Sequence, residues 1–193
     1  QTLYIGSQGA GGYFPGYISN VRIVKGLAVY TGTFTPPTAP LTATQSAGTN
    51  IAAITTQTSL LTCQSATFVD NSTNAFAITA GTTTVKPLAQ SPFTPSAYSS
   101  TAITTYGAGY FNGTTDYVQV PYSANYGTLT ADFTIEVWFY PTVSNMAAGT
   151  IITSRNFNTN QYVPYLIWMV GATVTVYMSS DAASWNVING GNA

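Results

Sequence analysis

The sequence contains no histidine, a single cysteine, and only 4 Lys+Arg against 5 Asp+Glu in 193 residues. Without histidine, Ser–His and Cys–His nucleophilic schemes and His-ligated zinc are excluded within this chain. Cys63 is alone, so no internal disulfide forms. It lies in the apolar, alternating stretch SLLTCQSATFVD with no cation or helix N-terminus to activate it, and it reads as a small buried hydrophobe. Arg22, Lys25, Lys86 and Arg155 are too few and too scattered to track phosphates, which argues against nucleic acid as a partner. No apolar run approaches the roughly 20 residues of a membrane span. The longest, around Tyr162–Val176, is broken by Pro164 and Gly171 and reads as two strands.

Charged residues make up 5% of the chain, where about 25% is ordinary. The surface must therefore be built from Thr, Ser, Asn, Gln, Gly and Tyr, whose hydration salt hardly affects. Such a surface suits salty water or dense packing against copies of itself, and a net charge near zero favours association.

What is present is period-two patterning bounded by turn residues, with no convincing helical period. Thr2–Gly6 reads as a strand, followed by the Gly-rich hairpin loop SQGAGGYFPG and a strand over Tyr17–Val24. In that strand Ile18, Val21 and Ile23 change phase between 18 and 21, which predicts a β-bulge. Pro36, Pro37 and Pro40 end regular pairing, and the small, polar stretch 44–58 reads as a linker. Beyond it, strands are expected at Ser59–Ser65, Ala75–Thr79 and Thr83–Val85, then a hairpin around Asn112-Gly113. Asp132–Pro141 is the strongest strand. Phe133, Ile135, Val137 and Phe139 line one face and Thr134, Glu136, Trp138 and Tyr140 the other, so it reads as a central strand covered at least partly on both sides. A meander follows, and the tail SWNVINGGNA carries no closing strand. The expected fold is all-β, a two-sheet antiparallel sandwich.

Two blocks carry a resemblance. YFNGTTDYVQVPYSANYGTLTADFTIEVWFYP (Tyr110–Pro141) is similar to the opening block of the laminin-G-like, concanavalin A-like jelly-roll modules. YFPGYISNVRIVKGLAVYTGTFTPPTAPL (Tyr13–Leu41) resembles their closing block. The order is inverted relative to the family. The resemblance thus implies that 1–43 are the closing strands of one module, 44–58 a linker, and 59–193 the opening part of a second. Three readings stay open: a fragment of a tandem array, a permuted unit that donates its first strands or closes on itself, and an accidental likeness of one end. The flavour of the closing block also resembles modules of phage appendage proteins and of large bacterial surface proteins.

For glycan hydrolysis, the best local carboxylate pair, Asp132 and Glu136, is separated by about 13 Å of strand. Glycosidases need about 5–5.5 or about 6.5–9.5 Å. Glu136 reads instead as a structural acceptor or a partner for Arg155 or Arg22. A Ca²⁺ site needs only oxygens, which leaves Asp116 with Asn112 and Thr114, or Asp70 with Asn71 and Asn74, as candidates. Turns favour the same residues without any metal. Asn71 and Asn112 also fit the N-glycosylation pattern, again at turns. Among the aromatics, Trp185 in a polar loop is the first candidate for stacking on a sugar, with Tyr13 and Phe14 of the Gly-rich loop next.

The expectation is a non-enzymatic structural and adhesive module of an extracellular assembly, a phage tail fibre or virion appendage. Its partners would be copies of itself or neighbouring modules through sheet edges, with glycan or host-surface binding added by loops. The alternative is a lectin-like glycan-binding domain of a bacterial surface adhesin or filament.

Overall fold

The computed structural model describes residues 2–88, 91–93, 107–127, 129, 131–154 and 162–192. The strands are β1 (Leu3–Ile5), β2 (Pro15–Lys25), β3 (Thr58–Thr62), β4 (Thr79–Ala80), β5 (Lys86–Leu88), β6 (Ala108–Asn112), β7 (Val118–Val120), β8 (Phe133–Pro141), β9 (Met146–Thr153), β10 (Tyr165–Gly171), β11 (Thr173–Met178) and β12 (Ile188–Asn192). One helical turn, α1 (Ala124–Gly127), precedes β8. Every strand pair is antiparallel. One sheet runs β12-β11-β10-β9-β1-β7-β4; the other runs β3-β2-β6-β5, with β8 also pairing with β2. The molecule is thus an all-β, two-sheet sandwich, and among the described residues no helix is long and apolar enough to cross a membrane.

The two strands of the first 25 residues are internal to the sheets. β1 lies between β9 and β7. β2 meets β6 and then β3 along one edge and β8 along the other, with Tyr17 opposite Tyr140 and Arg22 opposite Glu136. The two blocks that resemble module ends therefore pair with each other in this chain. Residues 44–58 fold back on themselves through bridges at Gln45–Ile54 and Gly48–Ile51. Ile54 is buried there with Val24 and Val29 in a small second core.

β2 holds its course by a bulge. Pairing with β8 breaks between Ser19 and Arg22, and Asn20 adopts a left-handed conformation with φ 51°. The predicted change of phase is real: Ile18 on one side and Val21 and Ile23 on the other all enter the main core. The buried Asn20 side chain accepts hydrogen bonds from Leu41 N (2.9 Å) and Gln64 Nε2 (2.7 Å), tying the bulge to two neighbouring segments. A short side chain that bonds locally is what a non-glycine left-handed position favours. β8 keeps its predicted alternation, with Phe133, Ile135, Val137 and Phe139 against the main core. Cys63 is buried there as expected, and burial pushes its thiol up to about 12.

Two connections and the C-terminal tail differ from expectation. The Gly-rich loop after β1 and the Asn112-Gly113 turn after β6 are not hairpins: β1 and β2, like β6 and β7, lie in different sheets. Both segments arch across the core. Gly6, at φ 84°, makes the first arch, and a Cβ there would lie 2.3 Å from the Phe111 ring. Alternation tells which face of a strand is buried, but two facing sheets satisfy it as well as one hairpin does. The tail, read as strandless, forms β12 on the edge of β11, with a register shift between Val176 and Tyr177. Its Asn- and Gly-rich composition hides that strand.

Both sides of the β2–β8 pair meet at Arg22, which is fully buried. Its Nε donates to Glu136 Oε2 at 2.5 Å and its Nη2 to Oε1 at 2.9 Å; Nη1 reaches Thr42 O (2.9 Å) and Nη2 also reaches Gln45 Oε1 (2.8 Å). Tyr30 Oη donates to the same carboxylate at 2.5 Å. Removing one partner of a buried pair leaves an uncompensated charge, so Arg22→Met is expected to lower stability by about 3–5 kcal/mol. The double variant Arg22→Met/Glu136→Leu should recover most of that loss, the remainder falling on Tyr30 and Gln45. Urea denaturation of the three proteins checks this; a double variant no better than the single would count against the pair as the cause.

Candidate functional site

All five acidic residues lie among the described residues, and four are held by donors of the protein itself. Glu136 is enclosed by Tyr30 and by Arg22, one of its two expected partners; the other, Arg155, lies outside the described residues. Asp70 accepts from Leu61 N (3.0 Å), Ser72 N (2.9 Å), Ser72 Oγ (2.9 Å) and Phe76 N (3.0 Å). Asp116 is fully buried and accepts from Thr82 Oγ1, Thr84 Oγ1 and Asn112 N. Asn112 Oδ1 in turn accepts from the N–H groups of Thr114, Thr115 and Asp116. Asp132, just before β8, stands exposed, and among the described residues no donor holds its carboxylate.

The oxygens proposed for Ca²⁺ thus already face hydrogen-bond donors. Asp70 takes four, which fills the acceptor sites of a carboxylate. Among the described residues no three His, Cys, Asp or Glu side chains gather into a metal-holding group. Asn71 donates to Gln64 Oε1 (3.2 Å), and Asn74 Nδ2 donates to Ser59 O (2.9 Å). These Asn and Asp residues act as turn organisers, the role their backbone-bonding side chains suit.

The aromatic candidates separate. Phe14 is fully buried, edge to face with Phe139, so its ring is closed to any ligand; its neighbour Tyr13 is only half-buried. Trp185 is half-buried on the β11–β12 loop, with its ring 5.3 Å from both Tyr162 and Tyr177. Tyr177 also meets Trp168 at 6.0 Å, giving an aromatic cluster on the outer face of β10–β11. Asp181 organises the loop: it accepts from Ala183 N (2.8 Å), Ser184 N (3.0 Å), Ser179 Oγ (3.0 Å) and Ser184 Oγ (3.1 Å). Ser180 and Asn186 close it with a reciprocal pair of hydrogen bonds, both 2.9 Å.

A second aromatic group was not visible in the sequence. Tyr17, Tyr110 and Tyr140 stand directly opposite one another on β2, β6 and β8, and Lys86 on β5 faces Tyr110. Each tyrosine alternates outward on its strand, but only the inter-strand register brings them into one row. No protein-family model matches the chain, and neither a curated protein nor a solved structure matches it.

The N–H groups of Ala183 and Ser184 hold the Asp181 carboxyl at about 2, below its usual 3.8. A depressed folded value means that its contribution to loop order is complete above about pH 4 and is lost as pH falls through about 2. In a Trp138→Phe/Trp168→Phe protein, Trp185 emission is expected to stay constant from neutral pH to about 4 and to shift below that. Asp181→Asn should remove that acid step. An emission unchanged down to pH 2 would contradict the role of Asp181.

Proposed function

We propose that this chain is a non-enzymatic structural and adhesive module of an extracellular assembly, a phage tail fibre or virion appendage, built on a concanavalin A-like jelly roll. The observation that carries the adhesive part is Trp185, whose ring rests against Tyr162 and Tyr177 on a loop already ordered by Asp181. An aromatic face fixed before binding loses little freedom when a ligand stacks on it. Ser180 and Asn186 of the same loop each keep hydrogen-bonding capacity beyond their mutual pair, at its rim. The carboxylates speak for a non-catalytic role, because Glu136, Asp70 and Asp116 are each engaged in holding the fold.

The structural part rests on β8. Among the described residues it pairs only with β2, leaving the other edge of a nine-residue strand open. An open edge of that length is a template for strand addition by a neighbouring module or a second copy. The low charge of the surface removes the electrostatic barrier to such contact.

A glycan array run with and without Ca²⁺ tests the adhesive reading. Wild-type protein is expected to bind a subset of sugars, and Trp185→Ala to weaken those on its loop by about tenfold, the worth of a stacked aromatic. Absence of binding to every sugar under both conditions would overturn the reading.

A further inference from the structure

We propose that the outer face of β5, β6, β2 and β8 carries a second, elongated binding site for an acidic oligosaccharide. In it, Tyr110, Tyr17 and Tyr140 seat the sugar rings, and Lys86 holds a carboxylate or sulfate at one end. The assignment rests on the adhesive reading above in that the ligand is a surface glycan, but it uses none of the residues of the Trp185 loop.

Register creates the row. Lys86 faces Tyr110, Tyr110 faces Tyr17, and Tyr17 faces Tyr140. At about 4.8 Å between strands, the four positions span about 14 Å across the sheet. Tyr17 lies 5.3 Å from Tyr110 and 6.4 Å from Tyr140, with rings tilted by 52° and 44°, so the three form a continuous ribbon. Tyr140 is 67% exposed, and Tyr17 and Tyr110 are half-buried. A 240 Å³ groove lies beside the Tyr17–Tyr140 end of the row, next to Ser19 and Trp138, and a second lies at the Lys86 end, between Thr84 and Leu88.

The chemistry of the row selects its occupant. Each ring offers an apolar face and a phenol hydroxyl, and none of these three hydroxyls bonds to another described residue. That combination suits a sugar, with its apolar ring face and hydroxyl edge, better than a purely apolar ligand. Contiguous exposed aromatic surface of this kind marks an interaction site more often than isolated residues do.

The charge is the second criterion. Arg22 is locked to Glu136, and Lys25 Nζ donates to Ala124 O at 2.6 Å. Lys86 is exposed, and the one ion pair among the described residues is that of Arg22 with Glu136. An ammonium unpaired among the described residues, at the end of an otherwise uncharged row, favours an anionic group there and disfavours a cationic ligand. A single lysine is too little for a nucleic-acid backbone, which needs several phosphate contacts.

The test is isothermal titration with an oligogalacturonate, a sulfated oligosaccharide and a neutral oligosaccharide of matched length. Tyr140→Ala and Lys86→Gln alter exposed side chains, and unchanged thermal melting would confirm that both variants fold. The acidic sugars are expected to bind the wild type more tightly than the neutral one, with a preference that falls as salt rises. Tyr140→Ala should weaken binding of the acidic sugars by about 2- to 10-fold. Lys86→Gln should weaken it by about 2- to 5-fold and abolish the preference over the neutral sugar. Trp185→Ala should leave the preference for acidic over neutral sugar in place. Equal binding of acidic and neutral sugars, or loss of binding in Trp185→Ala alone, would overturn the tyrosine-row site while leaving the adhesive reading standing. Failure of the wild type to bind any of the three sugars would overturn the row, and the glycan array separately decides the adhesive reading.

Discussion

The buried pair of Arg22 and Glu136 is the constraint on which the rest of the arrangement depends. In a chain with four basic and five acidic residues, one of each is taken out of water at the centre of the β2–β8 pairing. The Coulombic gain of such a pair only roughly offsets the desolvation of its two ions. Its consequence is geometric. Strand pairing by apolar residues alone tolerates sliding, whereas a bidentate guanidinium–carboxylate contact has one register. Through Thr42 O and Gln45 the same guanidinium also holds the folded-back segment that covers this half of the sheet.

The tyrosine row inherits that register. Arg22 opposite Glu136 and Tyr17 opposite Tyr140 belong to one ladder, separated by the bulge at Asn20. A one-residue slip of β2 against β8 would turn Tyr17 toward the core and leave Glu136 without its partner. The bulge is therefore not a local defect: it lets Ile18 and Val21 both face inward while Tyr17 and Arg22 both face outward. Core packing, the ion pair and the exposed aromatic ribbon are satisfied together only with the extra residue in place.

The sequence made some of this plain and hid the rest for identifiable reasons. The alternation of Phe133–Tyr140 and the change of phase at 18–21 report which face each side chain takes, and both are found in the structure. The buried state of Cys63 follows from the same pattern. Partner identity is different information. Asn112-Gly113 marks a sharp turn, but whether the chain then returns along its own sheet or crosses to the facing one depends on contacts with β1 and β2, more than ninety residues earlier. Phe14 misled for the same reason: its Gly-rich surroundings suggested an open loop, yet the arch it ends carries its ring into the core against Phe139. Ala75–Thr79 and Thr83–Val85 were expected as strands, whereas pairing begins at Thr79 and Lys86. Polar, β-branched runs there do not fix where a short edge strand starts.

The two aromatic surfaces differ in how they are held. Trp185 sits on a loop whose order comes from hydrogen bonds to one exposed carboxylate, Asp181. Tyr17, Tyr110 and Tyr140 sit on strands whose spacing is set by the sheet itself. The order of the loop depends on one carboxylate, while the spacing of the strand tyrosines depends on the whole ladder. Tyr140 also lies on β8, the strand whose outer edge is open among the described residues. Any strand that added to that edge would continue the same outward face beside Tyr140. The register of outward-facing positions on β8 is set by its pairing with β2 alone among the described strands.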